Sequence, residues 1–580
     1  MTTATFDLRR DEKPANATFL TAAHSARWMA TFLWIGIAAR SVRFLLRFPL
    51  WEDECFLCVN FIDRGFADLL SPLTYHQVAP PLFLWLERAA VLTFGYSEWS
   101  LRLVPFVAAV AGLFLFRRLA TQFLTGPALL LAFGCFAVAY PAIRYAAEAK
   151  QYSTDLFAAL LLLCIAVEWR RARRPFWLWV LAALAAPLLW LSYPAAFVVG
   201  GVSLAIGVTL FTGVRGQGSG VREDAISRTS PFGRFISQLS TLNPQLAFAW
   251  AAYNVAVLVG FGTLFFVIRR QSGAELGFMT EYWRVAFPPL SEPARLPAWL
   301  LEVHTSDLLA WPVGGGRGAS AFTAVLAAIG FRQLVRKRDP FWGLLLLAPA
   351  GLNILAAAMQ RYPYGGHFKF SMYLGPAVCL LAGCGAAAWN AKLAKSWPKL
   401  ARGAMVGTVA VLALVAGITM ARDVLNPYKT LSDERARAFA RWFWFNAEAE
   451  GDVEVVDAHD GKVFSSDAYA ELSWTAMFLC NRAIYSPTMH DGHATPIPLT
   501  ETRPLRCVVY RDPRFEFDEA ARDAWLDEMQ REHDLAATET YPFTRFGKGE
   551  RDFRQVDYLD IYTFRPKPVR TATAARAVWK

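Results

Sequence analysis

The chain has 580 residues, of which 55% are hydrophobic and 14% aromatic, and its formal charge is +11. That apolar fraction excludes an ordinary soluble domain and points to a polytopic membrane protein. The excess of basic residues does not point to nucleic acid, because they fall in short clusters between apolar runs, as the connecting loops of a membrane protein require.

Read in chain order, residues 1–27 form a basic cytoplasmic segment containing Arg9, Arg10, Lys13 and Arg27. Apolar runs long enough to span a bilayer follow at 28–48, 99–116, 126–142, 153–169, 176–193, 195–212, 246–268, 318–334, 341–359, 370–389 and 403–421, about eleven in all. The run at 28–48 has no small-residue cleavage pattern and reads as a retained first span.

Basic residues occupy every second connection: Arg117 and Arg118; Arg170, Arg171, Arg173 and Arg174; Arg215, Arg222, Arg228 and Arg234; Arg332, Arg336, Lys337 and Arg338; Lys392, Lys395, Lys399 and Arg402. This alternation sets the amino end and these loops in the cytoplasm. The loops at about 49–98 and 269–317 and the tail 423–580 are then external. The expected architecture is a helical transmembrane domain over 28–422 with a small α/β extracytoplasmic domain over 423–580.

The external loop holds two helix-like pieces. One lies at about 54–70. The other is "PPLFLWLERAAVLTFG", with Pro81 in its first turn and Gly95 at its end, and is expected to lie in the membrane interface. The tail carries charged amphipathic helices ("DERARAFARWFWFNAEAE", "DEAARDAWLDEMQRE") and strand-like runs ("VEVVDA", "LRCVVYRD", "DYLDIYTF"). Cys55 and Cys58 read as packing residues. Cys480 and Cys507 lie in the tail, where a disulfide is an option if that tail is outside the cytoplasm.

Three sets of ionisable residues stand at expected external membrane edges, where charge is costly and usually serves function. Asp53 and Glu54 follow the first run. In "RYAAEAKQYSTD", a helix would set Arg144, Glu148, Gln151 and Asp155 on one face and Lys150 on another. "QRYPYGGHFKFSMYLGP" carries Arg361, His367 and Lys369. Each set has a plainer structural explanation. Asp53 and Glu54 can cap a helix, Arg144 and Glu148 can be an i,i+4 pair, Asp155 can complement a helix amino end, and Arg361 and Lys369 can snorkel. Together they suit a phosphate-linked lipid reacting with a water-side acceptor, since a carboxylate can take a proton from a hydroxyl and Lys or Arg can hold a phosphate oxyanion.

These stretches resemble the polytopic GT-C superfamily glycosyltransferases of the family-39 type, which includes protein O-mannosyltransferases and the aminoarabinose transferase of lipid A. The resemblance, over roughly 28–420, rests on Asp53-Glu54, then on Pro80, Pro81, Leu82, Phe94, Gly95, Glu98, Arg102 and Leu103, then on "YAAEAKQYSTD" and "RYPYGGHFKFSMYLGP". Lys150 stands where the family usually has Arg, and His367 and Lys369 stand in a segment where Arg is common.

The resemblance implies transfer of a sugar from a polyprenyl-phosphate donor to an extracytoplasmic acceptor hydroxyl on a lipid, glycan or protein of the cell envelope, at a bacterial inner membrane with the site facing the periplasm. It makes Asp53 the base and Glu54 its helper. Substrate contacts fall to Lys150, Arg144, Glu148, Tyr152 and Asp155, to His76 and Gln77 in the external loop, and to Arg361, Tyr364, His367 and Lys369. No metal-ligand set stands out, although a divalent cation at Asp53, Glu54 and His76 is an alternative. A transporter or flippase of lipid-linked sugars is the competing reading. It needs membrane-edge charges but not a carboxylate pair, and it often shows repeated halves, which are not visible here.

Overall fold

The computed structural model describes residues 22–213, 243–272, 280–336, 339–449, 454–456, 464, 468–485, 504–511, 515–543 and 557–567. Arg9, Arg10, Lys13, the loop from Arg215 to Arg234, Lys337 and Arg338 lie outside these described residues. The chain divides into two compact units. The first comprises residues 1–47, 65–90 and 99–427, and the second comprises 48–64, 91–98 and 428–580. The loop expected as one piece at 49–98 is therefore shared between them.

The helices in chain order are α1 (Ala22–Leu45), α2 (Glu52–Cys58), α3 (Pro81–Phe94), α4 (Leu103–Phe123), α5 (Gly126–Ala137), α6 (Tyr140–Arg144), α7 (Tyr152–Ala172), α8 (Pro175–Leu191) and α9 (Ala195–Gly213). After these come α10 (Pro244–Ser272), α11 (Leu296–Thr305), α12 (Ala321–Arg336), α13 (Pro340–Ala358), α14 (Gly375–Ser396) and α15 (Pro398–Leu425). Every apolar run of the sequence is helical. By length and apolarity, six described helices can cross a membrane, or seven if the bent pair α5–α6 counts as one span. α8 and α12 are shorter, at 17 and 16 residues.

Local chemistry sets the helix ends. α3, α8, α10, α13 and α15 each begin on a proline, whose missing N–H would be unpaired in a first turn anyway. α3 stops at Gly95, whose φ of +78° only glycine adopts without strain. α7 closes with Arg170 and Arg171 in its last turn, where cations complement the helix dipole.

The expected piece at 54–70 is not one helix. α2 is followed by a short 3-10 turn at Val59–Phe61, and a second such turn lies at Asp68–Leu70.

Three ion pairs, two of them buried or half-buried, tie distant helices of the first unit together. Arg43 of α1 meets Asp423 of α15 at 2.6 Å. Arg170 of α7 meets Asp339, the N-cap of α13, at 3.0 Å. Arg118, near the end of α4, meets Glu168 of α7 at 2.9 Å. The ends of α4 and α7 and the start of α13 thus share one side, as the alternation of basic loops requires.

Glycine allows the closest helix approach. A Cβ on Gly330 of α12 would strike the Leu381 carbonyl, and one on Gly385 of α14 would strike the Leu326 carbonyl. The two backbones touch directly there, as small residues permit between membrane helices.

The second unit contains α2, then α16 (Leu431–Ala449), β1 (Glu454–Val456), α17 (Ala468–Tyr485), β2 (Leu505–Arg511), α18 (Glu519–Glu532), β3 (His533–Phe543) and β4 (Asp557–Pro566). The sheet order is β1-β2-β4-β3. β1 runs parallel to β2, and the other neighbours are antiparallel. β2, next to the centre, is buried almost throughout. Aromatic side chains from the helices build the core: Phe439 of α16 packs on Trp474 of α17, and Trp525 of α18 packs on Phe564 of β4. Cys480 and Cys507 are not joined by a disulfide, and both are buried. The Cys480 sulfur instead lies 3.3 Å from the Tyr96 hydroxyl and 3.5 Å from the Cys55 carbonyl.

Candidate functional site

In the first unit the candidate residues collect around a broken span. α5 ends at Ala137 and α6 leaves it at 43°. Breaking a helix inside a membrane frees carbonyls that must find donors. The buried guanidinium of Arg40, from α1, supplies one: its Nη1 donates to Ala137 O and to Gly36 O, each at 2.9 Å. On the other side of the break, Tyr140 N donates to Pro312 O at 2.8 Å.

The stretch "RYAAEAKQY" then turns twice. A 3-10 turn covers Tyr145–Ala147, Glu148 is extended (φ −138°, ψ 128°), and α7 starts at Tyr152. The continuous helix expected over 144–155 is not formed, and the shared face of Arg144, Glu148, Gln151 and Asp155 goes with it. The Arg144–Glu148 pair survives the break. Arg144 Nε donates to Glu148 Oε2 at 3.2 Å, and its guanidinium lies over the rings of Tyr145 and Phe368.

Lys150 is only 4% exposed. Its ammonium donates to Gln77 Oε1 at 2.8 Å, and Gln77 Nε2 donates to Tyr75 O at 3.0 Å. Tyr75 and His76 both have positive φ (57° and 53°), a conformation that costs energy in a residue with a Cβ and is seen most often where function over-determines the backbone. His76 sits on this turn, next to Gln77.

The late stretch brings a second cation. A 3-10 helix over Phe368–Leu374 leads into α14, and the His367 ring Nδ1 accepts from Lys369 N at 3.1 Å. The Lys369 ammonium lies 4.5 Å from the Trp283 ring centre, 5.3 Å from Phe370 and 5.9 Å from Tyr152. Aromatic faces attract a cation through the ring quadrupole. Contacts from Arg144 to Phe368 and from Lys369 to Tyr152 join this segment to the broken span. Trp283 has no signal in sequence, because it comes from a loop whose apolar residues show no period.

Three expected residues go elsewhere. Tyr364 turns to His304, with its hydroxyl 3.0 Å from Nε2. His304 Nδ1 lies 2.7 Å from Leu300 O and so carries the proton, leaving Nε2 to accept from the tyrosine. Arg361 is exposed just beyond α13; its backbone N donates to Ala356 O at 2.9 Å, and its side chain has no hydrogen-bond or ion-pair partner among the described residues. Asp155 is buried in the first turn of α7 beside Ser192, with Tyr193, Tyr362 and Tyr373 near it. It is separate from the Arg144–Glu148 pair.

Asp53 and Glu54 belong to the second unit, in the first turn of α2. Glu54 is buried, and its Oε2 accepts from Trp51 N at 3.3 Å, so it caps the helix that carries it. Asp53 is only half-buried. The Lys429 ammonium stacks on the Trp51 ring. Thr430 and Asp433 cap α16 reciprocally: Thr430 N donates to Asp433 Oδ2 at 2.9 Å and Asp433 N donates to Thr430 Oγ1 at 3.4 Å. Burial pushes the Asp433 carboxyl up to about 7, and the nearby charge of Glu54 adds to the shift. Glu98, one of the residues carrying the resemblance, accepts a hydrogen bond from the Tyr485 hydroxyl. Among the described residues, no three His, Cys, Asp or Glu side chains come together as metal ligands do.

Helices of this length and apolarity define a multi-pass helical membrane protein, one that buries cations and carboxylates where a broken span hands over to the next helix. No protein-family model matches the sequence, and no curated protein matches it either. Among solved structures, it is similar to ArnT from Cupriavidus metallidurans bound to undecaprenyl phosphate, at 12% identity and a TM-score of 0.49, over 92% of this chain and 98% of that one. It is also similar to the archaeal oligosaccharyltransferase AglB from Archaeoglobus fulgidus, in complex with an inhibitory peptide and a dolichol-phosphate, at 13% identity and a TM-score of 0.41, over 80% of this chain and 65% of that one.

Proposed function

We propose that this protein transfers a sugar from a polyprenyl-phosphate-linked donor to an acceptor hydroxyl on the outer face of a bacterial inner membrane. The observation that carries the reading is Lys150, a buried ammonium held by Gln77 at the end of a broken span, with the Arg144–Glu148 pair six and two residues before it. An ionisable side chain buried at a membrane edge defaults to function, and a lipid phosphate is an anion that the bilayer supplies.

In the proposed reaction the acceptor oxygen bonds to the sugar's anomeric carbon while the bond from that carbon to the phosphate oxygen breaks. The phosphate leaves with the electron pair and gains a negative charge. Lys150 and Lys369 stabilise that charge as it develops. Asp53 takes the proton of the acceptor hydroxyl. Glu54, through its cap on Trp51 N, fixes the turn on which Asp53 stands.

The test is Lys150→Met in the purified full chain, with binding of a radiolabelled polyprenyl-phosphate sugar measured apart from turnover. The expected result is donor affinity lowered by about ten-fold or more, as for loss of a charge-assisted hydrogen bond of 1.5–3 kcal/mol. Unchanged donor affinity would overturn the assignment.

A further inference from the structure

We propose that the cavity between the carboxyl-terminal ends of α12 and α14 binds the phosphate headgroup of an anionic phospholipid. This inference stands apart from the transferase reading. It concerns the opposite end of α14 from the Lys369 segment. α14 has 22 residues and is therefore about 33 Å long, enough to carry its two ends to opposite faces of a hydrocarbon core of about 30 Å.

The geometry of the cavity follows from the helix crossing. α12 and α14 touch backbone to backbone at Gly330 and Gly385. Past that point they part, and a cavity of about 510 Å³ opens between them. The face of α12 lining it carries Arg332 and Arg336, one turn apart, and the face of α14 carries Lys392. All three cations are exposed, and none has an ion-pair partner among the described residues. Among the residues lining the cavity, none is acidic.

Cations in a last turn can serve only to complement the helix dipole. That explanation does not account for the rest of the lining. Trp389 and Trp397, 50% and 65% exposed, stand at the rim, where tryptophan marks the headgroup level of a bilayer. Ile329, Ala388 and Leu393 add apolar side chains to the lining. Two guanidiniums can grip a phosphate through paired N–H groups, and the lysine adds a point charge. A lining that combines three cations, apolar side chains and two tryptophans, with no acid, matches a lipid whose headgroup is a phosphate without a compensating amine. Basic pockets between membrane helices recognise such headgroups.

The experiment is native mass spectrometry of the full chain released from detergent, titrated with phosphatidylglycerol or with phosphatidylcholine. Phosphatidylglycerol should be retained more tightly, and its binding should weaken with added salt. The variant Arg332→Gln, Arg336→Gln, Lys392→Gln should lose that preference, at roughly five-fold per cation. Arg332→Lys with Arg336→Lys should keep most of it. The substituted side chains are exposed and leave the glycine crossing intact, so both variants should fold. Equal retention by the wild type and the triple Gln variant, or equal binding of the two lipids, would overturn the proposal. So would displacement of the lipid by soluble glycerol phosphate at matching concentration, because the site would then take a free phosphate and not a lipid.

Discussion

At the scale of single residues, the two adjacent acids separate cleanly. Glu54 caps the helix, and Asp53 is left as the more accessible carboxylate. Glu54→Gln keeps an acceptor at the same place, so it should fold normally and lose little transfer. Asp53→Asn also caps a helix well, but an amide cannot take a proton. It should insert, bind donor and transfer sugar on the order of 10²–10⁴-fold more slowly. A steady-state transfer assay on both variants decides the matter. Near-normal transfer by Asp53→Asn would make the acids a cap alone and move the base elsewhere.

Asp433 yields a second residue-level test. Its folded pKa of about 7 lies above the ordinary Asp value, so the folded state holds the proton more tightly than the unfolded state. The group's contribution to stability is therefore fully present below about pH 4 and is lost as pH rises toward about pH 7. Hydrogen exchange in peptides from α16 should quicken over that window in the wild type. In Asp433→Asn, which keeps an acceptor for Thr430 N, the dependence should flatten. A pH profile identical in the two proteins would show that burial and the charge of Glu54 do not hold the proton there.

At the scale of elements, Gly385→Leu should be among the most damaging changes in the membrane unit. It would drive a side chain into the Leu326 carbonyl, and backbone cannot yield as a side-chain tip does. Overpacking of this kind costs about 1–3 kcal/mol or more. The yield of folded protein in detergent, by size-exclusion chromatography, should fall sharply for Gly385→Leu and much less for Gly403→Leu, which meets nothing nearby.

The helices themselves were legible in the sequence because unbroken apolarity is a direct signal. Their interruptions were not. The break after Ala137 lies inside a run apolar on both sides, so periodicity passes over it, and it depends on a donor, Arg40, 97 residues away from the carbonyl it serves. The extended Glu148 was likewise read as helical because alanines surround it. In the second unit, β3 gives no strand signal, because "HDLAATETYPF" shows no apolar–polar alternation and lies at an edge of the sheet. α17 is a mostly apolar stretch with few charges, which periodicity alone does not separate from a strand. For the candidate site, the residue types were readable in single motifs. The partners Gln77 for Lys150 and Trp283 for Lys369 come together only through the fold.

At the scale of the whole molecule, the alternation of basic loops is a topological claim that two ion pairs support from inside the first unit. Arg43 with Asp423 joins helix ends expected outside, and Arg170 with Asp339 joins ends expected inside. α15, with 28 residues between Pro398 and Leu425, should therefore carry the chain across the membrane. Reporter fusions placed after Lys399 and after Lys429 should report opposite compartments. The same compartment for both would refute the orientation and with it the outer-face location of the proposed chemistry.

The glycine crossing of α12 and α14 also limits how the membrane unit can move. Two rods notched into one another can neither roll nor slide, because each displacement pushes a carbonyl into a Cα. The pair serves as a fixed post. On the proposed function, room for a lipid-linked donor would come from the other helices and connections swinging around it. A pair of spin labels on α12 and α14 should then keep one separation whatever is bound, and supply the reference against which motion of the remaining helices is measured.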